Sequence, residues 1–311
     1  MNKIIDIIII SYNTCELTLN CIRSIYDTSK DIVGNIVVVD NNSNDDTVTE
    51  VQKNFQDVKV IINPENYGYA KAVNIGFSNT SSDLVLVSNP DVIFLPGSIK
   101  ELINTFFIIK NCGICGPAQV FSDGNYQRSF GNLPGIYLGI KDVTFITHIE
   151  EKFRKFFQPK RLKKVAYVDG AVMLINRNAY SQVGGFDEDY FFYTEEADFC
   201  FKLYKMGYLV IHNPKSKVIH YRGATENIPV DNSRIKLLIS SKALFCKKHL
   251  SFNEAKFFMI LEIIYSYNLW LIYTIISLIN FWEKKPKNKK NIFKLFGECW
   301  LKEFTNFLEE N

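Results

Sequence analysis

Four apolar runs, at residues 4–10, 36–39, 58–62 and 84–87, alternate with stretches of helical spacing at 16–28, 45–54, 70–77 and 98–110. Strands that are apolar almost throughout must be covered on both faces. Strand–helix alternation of this kind predicts an α/β fold, a mostly parallel central sheet flanked by helices. In such sheets ligands gather beyond the carboxyl ends of the strands. Those ends here are Ser11-Tyr12-Asn13, Asp40-Asn41-Asn42, residues 64–68 and Asn89-Pro90-Asp91. All four are polar.

A chain of 311 residues with 47% hydrophobic and 22% charged content is long enough for a large core and unlike a disordered polypeptide. Its net charge of +3 is too small to indicate nucleic acid. The seven cysteines are odd in number and follow no disulfide framework, which fits a reducing cytoplasm. Cys112 and Cys115 form a C-x-x-C without a second pair at zinc-site spacing, inside a predicted strand, so they read as structural. The first apolar run contains Asp6 and is too short for a membrane span; it reads as a central strand, with no secretory signal expected.

Several residues carry chemistry. Pro90 cannot continue a sheet ladder, so it stops the fourth strand and turns Asp91 toward the mouth of the sheet. Asp40 at a strand end suits a base edge or a ribose hydroxyl, or else a simple Asx turn. The segment with Asn66, Gly68, Ala70, Asn74 and Gly76 opens a helix with small residues; Gly68 and Ala70 would let a ligand approach the backbone, and a helix start suits a phosphate. No G-x-G-x-x-G is present. Downstream, Thr194 reads as an N-cap, and Glu195, Glu196 and Asp198 follow the aromatic run 190–193. Acids in a first turn also favour the helix dipole, but a carboxylate beside apolar rings has a raised pKa and becomes a proton acceptor. Asp169-Gly170 lies between two β-rich runs, and His220, a lone histidine, ends another before Arg222. Between 130 and 164 the pattern weakens into a basic, Pro-interrupted stretch, expected as a mobile loop or solvated linker.

From Ile5 to Thr225 this order resembles the nucleotide-sugar glycosyltransferases of family 2, with the GT-A fold. The matching motifs are Ser11-Tyr12-Asn13, Asp40 to Ser43, Asn66 to Ala70, Asn89-Pro90-Asp91, Val168 to Ala171, Gly184 to Glu188, Thr194-Glu195-Glu196 and His220; the Asn-Pro-Asp form is similar to the rhamnosyltransferase-like branch. The resemblance implies an inverting, metal-dependent transferase. Ser11, Tyr12, Asn13, Asp40, Asn42, Asn66, Gly68, Ala70, Asn74, Asn89, Asp169 and Arg222 would bind a nucleoside-diphosphate sugar, with dTDP or UDP and dTDP-rhamnose first. Asp91 and His220 would hold Mg²⁺ or Mn²⁺, and Glu196, with Glu195 as the alternative, would be the base. The acceptor would be a glycan or lipid-linked intermediate of bacterial surface polysaccharide such as O-antigen. Asn89 stands where the family has an acid, and Glu196 where it has Asp. The second departure keeps open a catalytically inactive sugar-nucleotide or glycan binder of the same fold. A nucleotidyltransferase would carry a Gly-rich basic loop after the first strand, which Ser11 to Thr14 does not provide.

The expected division is a catalytic domain at 1–228 and a helical region at 229–311. The latter is basic and contains twenty residues, 263–282, without a charge, followed by Lys284, Lys285, Lys287, Lys289 and Lys290. That run meets the length of a span, yet lysines flank both ends, and Tyr265, Tyr267, Trp270 and Tyr273 suit an interface. A helix in the membrane surface, on the cytoplasmic face of the inner membrane, is therefore expected, the alternatives being a spanning or a buried helix.

Overall fold

The computed structural model describes residues 5–153, 158–221, 232–279 and 284–310. In chain order the first elements are β1 (Ile5–Ser11), α1 (Cys15–Ser29), β2 (Val33–Asp40), α2 (Thr47–Asn54), β3 (Lys59–Ile62), α3 (Gly68–Ser78), β4 (Leu84–Ser88), β5 (Val92–Phe94) and α4 (Ser98–Ile108). There follow β6 (Cys112–Val120), β7 (Phe130–Gly131), α5 (Ile136–Val143), α6 (Ile146–Lys152), β8 (Lys163–Lys164), β9 (Tyr167–Val168), β10 (Val172–Asn176), α7 (Arg177–Gln182), α8 (Glu195–Lys205) and β11 (Leu209–His220). The chain continues with α9 (Asn232–His249), α10 (Phe252–Ile279) and α11 (Lys284–Glu309).

The chain divides into two compact units: Met1–Asn132 with Arg154–Asn227, and Leu133–Phe153 with Ile228–Asn311. The expected boundary at 228 lies outside the described residues. The first unit is built on a sheet in the order β3-β2-β1-β4-β10-β6-β11-β5, with β8 beside β11. β3, β2, β1 and β4 run parallel, as do β6 and β11. β10 is antiparallel to both β4 and β6, and β5 is antiparallel to β11. β1 is buried over its whole length. Its β-branched residues alternate between two cores: Ile7 and Ile9 join Ile22, Val38 and Leu102 on one face, and Ile8 and Ile10 join Val37, Val73 and Phe199 on the other.

Asp6 is the exception inside β1. It is 1% exposed and accepts hydrogen bonds from the backbone N–H of Asn35 (2.8 Å), Ser81 (2.7 Å) and Ser82 (2.9 Å) and from Asn35 Nδ2 (3.1 Å). Burial pushes its carboxyl up, but these donors prevail and hold it below the usual carboxylate range. Cys112 and Cys115 are both buried free thiols on β6, raised by burial.

The second unit packs α9, α10 and α11 around Ile235, Ile239, Phe258, Met259 and Trp300, with Leu138 of α5. Much of the stretch expected as a loop or linker at 130–164 is therefore ordered helix and strand. A Cβ on Gly139 would stand 2.9 Å from Leu261, so the glycine lets α5 lie close to α10. α5 and α6 span only 8 and 7 residues, too short to show helical periodicity in the sequence.

Candidate active site

Antiparallel pairing in the second half of the sheet assembles the site. Ser88 at the end of β4 pairs with Val172 at the start of β10, so Asn89 N–H donates to Ala171 O over 2.8 Å. The Asn89-Pro90-Asp91 turn and the Asp169-Gly170 turn thereby become neighbours. His220 pairs with Val92, which brings it beside Asp91, and Val218 pairs with Gln119 of β6. Residues far apart in sequence meet because β10 and β5 run against the parallel strands.

A cavity of about 230 Å³ opens at these strand ends. Of the expected residues, Ser11, Tyr12, Asn66, Gly68, Asn89 and Asp91 line it; Asn41, Tyr69, Phe191 and Phe192, which the sequence reading did not select, line it too. Asn41 lies between two residues that had been selected. Its N–H donates to Ser11 O (2.8 Å), its Nδ2 to Gly68 O (3.1 Å), and its Oδ1 accepts from Asn63 Nδ2 (2.7 Å). One buried asparagine thus ties the end of β1, through its backbone, and the 63–68 segment, through its side chain, to its own turn.

Other expected residues stand off the cavity wall. Asp40 is 1% exposed and accepts from Ser43 N–H (2.8 Å) and Ser43 Oγ (2.5 Å). Asn13 and Asn42 are exposed, with left-handed φ of 52° and 64°. Asn13 N–H donates to Ser43 Oγ (2.8 Å), and its Oδ1 accepts from Asn44 N–H (2.7 Å), so the two turns lock together. Ala70 is fully buried in the core facing α3 and not open to a ligand. Asn74 is spent on the 184–188 loop: its Oδ1 accepts from Tyr180 OH (2.7 Å) and Phe186 N–H (3.0 Å), and its Nδ2 donates to Phe186 O (2.9 Å) and Glu188 Oε1 (3.0 Å). Both residues were expected on the donor and instead serve packing and loop closure. Gly68, with φ of 77°, has its side-chain space filled by Phe191, whose carbonyl oxygen would lie 2.3 Å from an added Cβ. That carbonyl accepts from Tyr69 N–H over 2.8 Å. Arg222 lies outside the described residues.

At the start of α8, Thr194 occupies the N-cap position but makes no capping hydrogen bond. Tyr193 and Thr194 both have left-handed φ, 71° and 70°. Two successive non-glycine residues there cost about 1–2 kcal/mol each, a strain that tertiary packing must hold in order to aim the two glutamates. Glu195 is buried, with Oε2 unpaired; burial first, then the charges of Glu196 and Asp169, raise its carboxyl well above the usual range. Glu196 is half-buried beside Gly170, 3.7 Å from where a Cβ there would sit. The arrangement sets a buried acid, whose charged form burial disfavours, beside a second acid with access to solvent.

Asp91 Oδ1 lies 3.3 Å from His220 Nε2 and has no hydrogen-bond donor although it is buried. His220 Nδ1 lies 2.9 Å from Gln119 Oε1, and Gln119 Nε2 donates to Asp169 Oδ1 over 3.1 Å. An orphaned carboxylate oxygen beside an imidazole nitrogen fits a divalent cation, and both are ligand types such ions accept. Among the described residues no group of three or more His, Cys, Asp or Glu side chains could hold a metal, so this pair supplies two protein ligands only. Gln119 carried no motif in the sequence; only the register of β6 against β11 reveals it.

Comparison with known proteins points the same way. The sequence profile of glycosyl transferase family 2 matches residues 6–184. The N-acetylglucosaminyl-diphospho-decaprenol L-rhamnosyltransferase of Mycobacterium tuberculosis is 29% identical over 203 residues, covering 60% of this chain and 66% of that protein, just under two thirds of its length. A dTDP-rhamnosyl transferase of Shigella flexneri is 24% identical over 226 residues, 72% of this chain and 71% of that one. Among solved structures, a mannosyltransferase of Pyrobaculum calidifontis in complex with GDP-Man and Mn²⁺ superposes with a TM-score of 0.57 at 15% identity, covering 96% of this chain and 86% of that one. GalNAc-T7 with UDP, GalNAc and Mn²⁺ gives 0.58 at 16%, over 76% and 47%. These likenesses show the GT-A fold.

Proposed function

The chain belongs to glycosyl transferase family 2, and from that premise we propose that it transfers a sugar from a nucleoside-diphosphate donor, with inversion, to a glycan or lipid-linked acceptor. The observation that carries this reading is the contrast between Glu195 and Glu196. Glu195 is buried, out of reach of an acceptor hydroxyl, and burial disfavours its charged form; Glu196 is half-buried and next to the Asp169-Gly170 turn. In the proposed step the acceptor hydroxyl oxygen attacks the anomeric carbon and its proton passes to Glu196. The bond to the diphosphate oxygen breaks, and that oxygen keeps the electron pair.

The cavity walls at Ser11, Tyr12 and Asn66 take the nucleoside and diphosphate, and Phe191 and Phe192 exclude water from one side. The Asp40–Ser43 hydrogen bonds keep the turn next to Ser11 in place. Asp91 and His220 would hold Mg²⁺ or Mn²⁺, which when bound offsets the charge gathering on the departing diphosphate. Asn89 at the position of a family acid leaves the site one negative charge fewer. The names of the relatives support a rhamnosyl donor on dTDP and a lipid-linked acceptor, as in assembly of a bacterial surface polysaccharide.

Attachment to the membrane surface has its own support. α10 is 28 residues long and apolar enough to cross a membrane, yet only 22% of its most apolar stretch is buried. Its buried positions are Ala255, Phe258, Met259, Glu262, Ser266, Leu269 and Ser277, while Phe257, Ile264, Leu271, Ile275 and Leu278 are exposed. A helix that is apolar on its outward face as well as on its packed one suits a lipid surface. The last three residues of the apolar run, 280–282, lie outside the described residues.

The deciding experiment compares carboxamide variants with a proven donor and acceptor. Glu196→Gln should lower kcat at least about 100-fold, the usual contribution of a positioned base. Glu195→Gln should be far milder, because the carboxamide keeps the shape of a buried side chain that an acceptor hydroxyl does not reach. The assignment fails if Glu196→Gln keeps near wild-type transfer, and a chain that binds the donor without turnover is instead a sugar-nucleotide binder.

A further inference from the structure

Gln119 touches neither the cavity nor the proposed base, and it is 1% exposed. Its backbone is fixed on both sides: its N–H donates to Ser129 Oγ (2.8 Å) and its carbonyl accepts from Gln127 N–H (2.9 Å). Gln127 Nε2 in turn donates to His220 O over 2.7 Å, and Asp169 N–H donates to Ser129 O over 3.0 Å. On this fixed backbone the buried side-chain amide lies between Asp169 and His220. Asp169 Oδ1, which also accepts from Ala171 N–H (3.0 Å), is an acceptor and requires the NH₂ end of Gln119. The carbonyl end is thereby turned to His220 Nδ1 at 2.9 Å, where it can only accept. Nδ1 therefore carries a hydrogen, and the tautomer this partner selects is the one whose Nε2 lone pair points toward Asp91 Oδ1, 3.3 Å away. In that tautomer a lone pair and the unpartnered Asp91 Oδ1 share one buried place, which a cation would fill.

We propose that Gln119 is a positioning residue: anchored by Asp169, it fixes the His220 tautomer whose Nε2 lone pair, with Asp91, is ready for a divalent cation. This rests on the reading of Asp91 and His220 as cation ligands. A metal-bound histidine commonly gives its second N–H to a carbonyl or carboxylate, and losing that partner costs about 10–100-fold in metal affinity. The partner here is a glutamine held in one orientation by an acid from another turn. The metal site and the Asp169-Gly170 turn next to Glu196 are in this way joined by a single side chain.

The test uses the full-length chain with ¹⁵N-labelled histidine. Only four histidines are present, so the long-range ¹⁵N–¹H spectrum resolves the tautomer of His220 directly. The wild type should show Nδ1–H. Mn²⁺ binding, followed by electron paramagnetic resonance of the free ion with UDP present, is the second readout. Gln119→Met keeps the length without the polar groups; it should lose the fixed tautomer and bind Mn²⁺ about 10–100-fold more weakly. Gln119→Glu keeps an acceptor for Nδ1–H, so its Mn²⁺ affinity should stay closer to wild type than to the Met variant. Equal weakening in both variants with an unchanged tautomer would reduce Gln119 to packing and overturn the proposal, as would wild-type affinity in Gln119→Met. If Gln119→Met does not fold, the wild-type tautomer and the Glu variant decide. Nε2–H in a wild type that binds Mn²⁺ removes the role of Gln119 alone; Nδ1–H with no Mn²⁺ binding removes the metal reading beneath it.

Discussion

Tyr69 OH donates to the carbonyl of Gly170 over 2.6 Å, tying the first turn of α3 to the turn that carries Asp169. Burial first, then the charges of Glu195, Glu196 and Asp169, raise the phenol well above its ordinary value. It therefore remains a donor at any pH the protein meets. Tyr69→Phe leaves the Gly170 carbonyl without this donor in a partly buried place, a loss of about 1–3 kcal/mol. Urea unfolding should show that loss. Transfer should fall with it, through kcat more than KM, because the turn beside Glu196 loses its brace.

The parallel half of the sheet was legible in the sequence because each strand there is a continuous apolar run bounded by a polar turn. The four expected strands and helices lie within a few residues of β1 to β4 and α1 to α4. Contacts across antiparallel pairs were not legible. Nothing in the local pattern says that Val172 runs against Ser88, or that His220 lies opposite Val92. Motif resemblance supplied Asp91, Asp169 and His220 as separate residues, and the register made them neighbours. Asn74 and Ala70 misled because a small or amide residue at a helix start serves packing and loop closure as readily as a ligand. Gln119 and Asn41 went unselected because an amide acts by its partners, and those are set by tertiary structure.

Asp6 joins β1 to Asn35 within β2 and to the segment before β4 through its four accepted hydrogen bonds. Asp6→Ala strands those donors and should cost about 3 kcal/mol or more. The carboxyl is held below its ordinary value of 3.8, so its ionised form is favoured in the folded state. Its contribution is full above that value and lost as pH falls through the lowered one. Denaturant midpoints of wild type and Asp6→Asn should therefore differ most near neutrality and converge in strong acid.

Glu262 behaves in the opposite sense. Burial raises its carboxyl to about 7 from 4.5, Asp142 adds to the rise, and Lys242 at 3.8 Å and Trp300 oppose it. Between those values the folded state holds a proton that the unfolded state has released, so stability falls as pH rises. The slope approaches about 1.4 kcal/mol per pH unit in that window and vanishes above it. Thermal melts of the full chain followed at Trp fluorescence should show this decline for wild type, and Glu262→Gln should flatten it. An equal slope in both proteins would assign the effect to another group.

The final prediction concerns the outward stripe of α10. Leu271, Ile275 and Leu278 are 53%, 50% and 72% exposed, so burying what remains of each in an apolar phase would contribute about 1–2 kcal/mol. Lysines near an anionic surface add about 1 kcal/mol each, and Lys289 and Lys290 follow the helix closely in sequence. Vesicles rich in anionic lipid should therefore sediment the full-length chain at low salt. Raising the salt should weaken binding without abolishing it, because the apolar part is not screened. Leu271→Glu with Ile275→Glu places two charges on the exposed face without disturbing the buried one. That variant should keep its helical circular dichroism and its nucleotide affinity while remaining in the supernatant. If wild type also stays in solution at low salt, the stripe meets something other than lipid, and membrane attachment through α10 is wrong.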